Sequence, residues 1–284
     1  MPNDKRSAGE HNDGVDAKNS KKNESVYREI IQEIFFRNYR AGMLEFEFDR
    51  EEIAETADRL GVARPKNLGD VIYSYRYRKL LPPRILETEP VGSYWLILGA
   101  GDAKYRFRLS RLRHIEPTPG LLVRKIPDAT PEIIGQYALT DEQALLAKVR
   151  YNRLIDIFLG ITSYSLQNHL RTKIQNYGQI EIDELYVGLD SNGSQYIIPV
   201  QAKGGSDKLG VIQTIQDVTF CQTQVRYERC IPRAVSAQFM GDNVIGMFEL
   251  TFDGDEVSIV NERHYKLVPA QDIGARDLDV YRRG

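Results

Sequence analysis

Two charged residues, Asp183 and Lys203, stand where the sequence pattern asks for apolar ones. Asp183 interrupts residues 179–189, a stretch rich in Ile, Val and Tyr that reads as a strand, and Lys203 closes a second strand, 195–203, directly after the run YIIPV. The turn Asp190-Ser191-Asn192-Gly193 joins them, and Ser206 caps a following helix with Leu209, Ile212, Ile215 and Val218. An acid and an ammonium on neighbouring strands of one hairpin can come within side-chain reach. A structural ion pair is the plain alternative, but buried pairs seldom add net stability, so the placement points to catalysis. Gln201 lies two residues before Lys203, on the same strand face.

This hairpin needs a sheet and helices to hold it. Upstream, Thr140 with Gln143 opens a helix, amphipathic at Leu145, Leu146 and Val149 and apolar nearly all round by 154–160, hence buried. Its Arg150, Asn152, Arg153 and Asp156 need polar partners. Downstream, 233–239, 243–252 and 256–261 read as further strands, with Asp253-Gly254 as a hairpin turn.

An acid in one core strand, then Gln201-Ala202-Lys203 in the next, then a helix, resembles the PD-(D/E)XK nuclease superfamily in its QxK form. The likeness covers about forty residues closely and the chain from Thr140 onward more loosely. It departs in two ways: the family usually has three strands before the second helix where the sequence signals two, and Gln201 replaces the commoner acid. The resemblance implies Mg²⁺-dependent phosphodiester hydrolysis leaving a 5′-phosphate. Asp183, Gln201 and Lys203 would be the catalytic residues. Asp183, the Gln201 side chain and the Ala202 carbonyl would ligate the ion, with Glu181 and Glu142 as candidates for a second carboxylate. Lys203 would orient or deprotonate the attacking water. Glu184 should point to the opposite face. Because the family favours an acid at this place, Gln201→Glu is expected to keep some activity.

Net charge is −2, but residues 64–113 hold eleven Lys/Arg against four Asp/Glu, a local +7 that leaves −9 for the rest. A concentrated basic stretch suits contact with a polyanion. The order of elements there is helix (Val26, Ile30, Ile31, Ile34, Phe35), strand (Leu44, Phe46, Phe48), helix, helix and hairpin, which resembles a winged-helix domain. In such domains the third helix enters the major groove and the hairpin lies along the backbone. Tyr73, Arg76, Tyr77 and Arg78 on that helix, and Lys104, Arg106 and Arg108 on the hairpin, are the expected DNA-binding residues.

The expected fold class is α+β / α/β. Residues 1–24, with ten charged residues and no aromatic, read as a disordered tail; 25–116 as a winged helix; 117–139, rich in Pro, as a linker or crossover; and 140–284 as a restriction-endonuclease-like mixed sheet flanked by helices. No apolar run is long enough to cross a bilayer, and no secretory signal opens the sequence. Two cysteines, Cys221 and Cys230, make no disulfide framework and fit a reducing cytoplasm. The expected function is a Type II restriction enzyme acting as a homodimer on double-stranded DNA, with a cognate DNA methyltransferase. A repair or recombination nuclease and a non-catalytic DNA-binding regulator are the alternatives.

Overall fold

The computed structural model describes residues 13–137, 142–174, 178–204, 207–253 and 256–282. The chain divides into two compact units, Met1–Ser110 and Arg111–Gly284.

In the first unit, α1 (Asp13–Asn38) buries Ile30, Ile31, Ile34 and Phe35 completely. It is followed by β1 (Glu45–Asp49), α2 (Glu52–Leu60), α3 (Leu68–Tyr73) with a π-helical turn at Ser74–Arg78, α4 (Pro83–Leu86), β2 (Tyr94–Gly101) and β3 (Lys104–Ser110). Glu52 takes the Asp49 N–H at 2.9 Å before α2, and Gly61 ends that helix at φ 66°, where a side chain would be strained. The Asn67 side chain accepts the Gly69 N–H at 3.0 Å to start α3. The strands form an antiparallel sheet in the order β1-β3-β2. Phe35 centres the core, its ring 5.2 Å from Phe46, 5.3 Å from Trp95 and 5.0 Å from Phe107.

Two expectations change here. Residues 13–24, placed in a disordered tail, are helical, because extending a helix already anchored by Ile30 and Phe35 needs no new nucleus; residues 1–12 lie outside the described ones. The cations of β3 do not form an open basic face. Lys104, Arg106 and Arg108 stand directly across from Asp49, Glu47 and Glu45 of β1, with Arg106 Nη2 2.9 Å from Glu47 Oε1.

The second unit runs β4 (His114–Ile115), β5 (Val123–Pro127), α5 (Glu132–Tyr137), α6 (Glu142–Tyr151), α7 (Leu154–Leu159), β6 (Thr162–Ile174), β7 (Gly178–Leu189) and β8 (Gln195–Lys203). After these come β9 (Leu209–Gly210), α8 (Val211–Thr223), β10 (Ile231–Pro232), β11 (Ala234–Phe239), β12 (Val244–Asp253), β13 (Glu256–Val268) and α9 (Ala275–Tyr281). The main sheet is mixed, in the order β5-β13-β12-β11-β8-β7-β6, parallel at β11/β8 and β13/β5 and antiparallel at the other joints along that order. Alternation along β8 feeds two cores. Ile198, Val200 and Ala202 pack with Leu145, Val149 and Phe158 of α6 and α7, while Ile197 packs with Phe220 and Cys221 of α8.

Within the stretch expected to be a linker or crossover, the described residues 117–137 include β5 and α5, and β5 is an edge of the sheet beside β13. Thr140 and Ser206, the expected caps, lie outside the described residues; α6 is described from Glu142, while α8 begins only at Val211 with Gly210 as its N-cap, so Leu209 falls on β9 and not on the helix. Among the described residues no helix is long and apolar enough to cross a membrane.

Phe107 is fully buried at the junction of all these rings. Phe107→Ala is expected to cost about 3–5 kcal/mol of the first unit's stability, measured by urea unfolding; a loss below about 1 kcal/mol would show that this core does not hold the unit together.

Candidate active site

The register of β7 on β8 runs from Leu189 opposite Gln195 to Glu184 opposite Val200 and ends there. Beyond that point side chains take over the bonding between the strands. Asp183 Oδ2 accepts the Ala202 N–H at 2.9 Å, and Gln201 Nε2 donates to the Glu181 carbonyl at 3.3 Å. On its other edge β8 continues to pair with β11 as far as Lys203 opposite Gln238. The end of β8 is thus fixed by backbone pairing on one side and by side-chain bonds on the other.

Two helices close on this end. From α8, Asp217 Oδ2 accepts a second bond from Gln201 Nε2 at 2.7 Å, and both side chains are buried. The two hydrogens of that amide are then used, and Gln201 Oε1 is left buried with no hydrogen-bond partner. From α6, Glu142 Oε1 lies 2.7 Å from Lys203 Nζ, whose side chain is only 15% exposed. Burial raises the Asp183 carboxyl above the usual carboxylate range; the Ala202 N–H and Lys203 ammonium pull it down, and Glu142 and Glu181 push it up. Burial holds the Asp217 carboxyl well above that range too, against the Gln201 donor, with Asp183 adding to the rise and Lys203 opposing it.

Asp183, Gln201, Lys203 and Glu142 therefore converge. Glu181 does so only in part: its carbonyl meets Gln201, but its carboxylate is held by Arg171 at 3.2 Å and His169 at 3.5 Å. The Ala202 methyl group lies in the core under α6, and its N–H is taken by Asp183. Glu184 does point to the opposite face, where it is fully buried and accepts from Arg150 Nε at 2.8 Å and Ser165 Oγ at 2.5 Å. Asp217 was not singled out by sequence reasoning. Its signal was a lone acid beside Val218 within the apolar run of α8.

Among the described residues no three carboxylate, imidazole or thiol groups form a ready metal cluster. The oxygens present still suit magnesium, a hard ion usually held by one or two carboxylates with phosphate oxygens and water completing its shell. Asp183 and Glu142 supply carboxylates, and the buried, unpartnered Gln201 Oε1 is an oxygen that an ion would satisfy. Comparison of the chain with protein-family models, curated proteins and solved structures gives no match.

The raised Asp217 carboxyl has a consequence for stability. The folded chain keeps that proton at pH values where the unfolded chain, with an ordinary Asp, has released it, so the stabilisation is complete below the ordinary value and is lost as pH rises through the folded one. In urea unfolding with EDTA, the stability of wild type relative to Asp217→Asn should decline as pH rises above about 4. A difference that stays flat or grows with pH would contradict this.

Proposed function

We propose that the chain is a magnesium-dependent DNA endonuclease with its chemistry on the second unit. The observation that carries this is the meeting of Asp183, Gln201, Lys203 and Glu142 where the β7–β8 register ends. The order of elements supports it: α6 and α7, then β6, β7 and β8, then α8, then β11 parallel to β8. The PD-(D/E)XK pattern expects three strands before its second helix, and β6 supplies the one that the sequence did not signal.

Magnesium bound by Asp183, Gln201 Oε1, Glu142 and the Ala202 carbonyl would neutralise charge building on the scissile phosphate. Glu142 holds the Lys203 ammonium in place. From there Lys203 Nζ orients a water for in-line attack and contacts the phosphate. The water oxygen bonds to phosphorus and gives up a proton to solvent, and the bond to the 3′ oxygen breaks as that oxygen takes a proton from solvent, leaving a 3′-hydroxyl and a 5′-phosphate. Site-specific cleavage of double-stranded DNA by a homodimer, in the manner of a Type II restriction enzyme beside a cognate methyltransferase, is the biological setting we infer.

For the first unit we infer DNA binding of the winged-helix kind. The β1-β3-β2 sheet and the order α1, β1, α2, α3 ahead of the hairpin support this, with the short α4 as an addition, and so does the π-helical turn, a rare feature common at functional sites. There Tyr73 and Tyr77 lie 5.1 Å apart, Arg78 sits 4.8 Å from the Tyr73 ring and Arg76 5.2 Å from the Tyr77 ring. Arg76 Nε and Nη2 are buried without a hydrogen-bond partner, which suits a guanidinium waiting for a base edge or phosphate.

Plasmid DNA should be cut with Mg²⁺ and left intact with EDTA. Asp183→Ala and Lys203→Ala should each abolish cutting while DNA binding persists, as affinity comes mainly from cationic contacts. Near wild-type cutting by either variant would place the chemistry elsewhere, and binding without any cutting by the wild type would favour the regulator reading.

The same binding assay separates the two basic surfaces. Arg76→Ala should weaken sequence discrimination by about 1–3 kcal/mol. Replacing Lys104, Arg106 and Arg108 together should flatten the salt dependence by less than the slope of about 0.9 expected for each free phosphate contact, because Glu45, Glu47 and Asp49 already neutralise them. A loss of three full contacts' worth of slope would return the phosphate-binding role to the hairpin.

A further inference from the structure

Glutamine at position 201 brings no charge to an ion, at a place where the resembled family mostly uses an acid. Its surroundings supply a reason. The Gln201 side chain is buried, and Nε2 donates both to Asp217 Oδ2 at 2.7 Å and to the Glu181 carbonyl at 3.3 Å. Its Oε1 is buried with no partner. Turning the amide over would set Oε1 against two acceptors and leave Nε2 unpartnered. The amide therefore has one favourable orientation, and Asp217 provides the shorter of the two bonds that select it.

We propose that Asp217 is the positioning residue of this site: by holding Nε2 it presents Oε1 to the ion, and it is the reason an amide stands at 201. This rests on the metal-dependent reading above. An acid at 201 would lose both donor bonds and set its oxygens against the Asp217 carboxyl and the Glu181 carbonyl, so nothing would hold it with one oxygen presented to the ion. Hence Gln201→Glu, which the family pattern alone favours, is expected to fail in this chain. Exchanging the roles should repair it: with Asp217→Asn added, the new amide donates to the new carboxylate, whose other oxygen is free for the ion. Repair is partial, because the Glu181 carbonyl still lacks its donor.

The test compares full-length wild type, Gln201→Glu, Asp217→Asn and the double variant. Melting temperature is read in EDTA, and Mg²⁺ binding by calorimetric titration. Asp217→Asn should melt no lower than wild type at neutral pH, since an asparagine satisfies either orientation of the Gln201 amide, yet lose roughly 10- to 100-fold in Mg²⁺ affinity. A purely structural Asp217 would not give that split. Gln201→Glu should lose both melting temperature and affinity, and the double variant should bind Mg²⁺ more tightly than either single one. Wild-type affinity in Gln201→Glu, or a double variant no tighter than the singles, overturns the proposal while leaving the metal reading in place if the wild type binds. No Mg²⁺ binding by the wild type overturns both.

Discussion

Where the β7–β8 register stops, a backbone N–H and a backbone carbonyl would be left inside the protein without partners, at a cost of about 1–3 kcal/mol each. Asp183 takes the N–H of Ala202 and Gln201 supplies the carbonyl of Glu181. The side chains of the candidate site thus double as the stitching between strands, and most of its geometry follows from that. Asp183 cannot turn out to solvent without orphaning Ala202, so it stays half-buried and its carboxyl is raised. Gln201 cannot rotate without orphaning Glu181, so its oxygen keeps one direction. The parallel joint to β11 holds β8 straight while this happens.

Adjacent acids on β7 meet different surroundings. Asp183 and Glu184 project to opposite faces. Glu184 meets Arg150 and Ser165 under α6, an arrangement of the sort a buried charge needs to be tolerated. Among the described residues Asp183 accepts a backbone N–H at 2.9 Å and has no cation within ion-pair distance, because Lys203 is engaged with Glu142. A carboxylate kept near an ammonium yet not neutralised by it is suited to a ligand that carries its own charge.

Much of this was legible in the sequence, for identifiable reasons. Strands β7 and β8 and helix α8 are rich in apolar residues because much of each is buried, so charges within them stand out. Strand β6 was invisible because it is a sheet edge: from Tyr164 to His169 every residue is exposed, and an exposed strand has no alternation to read. Strand β5 was hidden by the prolines around it, which mark an edge as readily as a linker. The basic face of β3 looked open because Glu45 and Glu47 are some sixty residues away in sequence and meet Arg106 only through strand register. Asp217 escaped because helical periodicity says which face is buried and nothing of which strand side chain it meets.

The central claim is that an ion sits at the end of β7 and β8, held by the Asp183 carboxylate and by the oxygen, not the nitrogen, of Gln201. A crystal structure of the full chain with duplex DNA and Ca²⁺ tests it most directly. The expected result is a cation about 2.3–2.6 Å from an Asp183 oxygen and from Gln201 Oε1, with a phosphate oxygen in its shell and Asp217 still on Nε2. DNA bound with no cation at this end of the sheet, or a cation that leaves Gln201 untouched, would contradict the account.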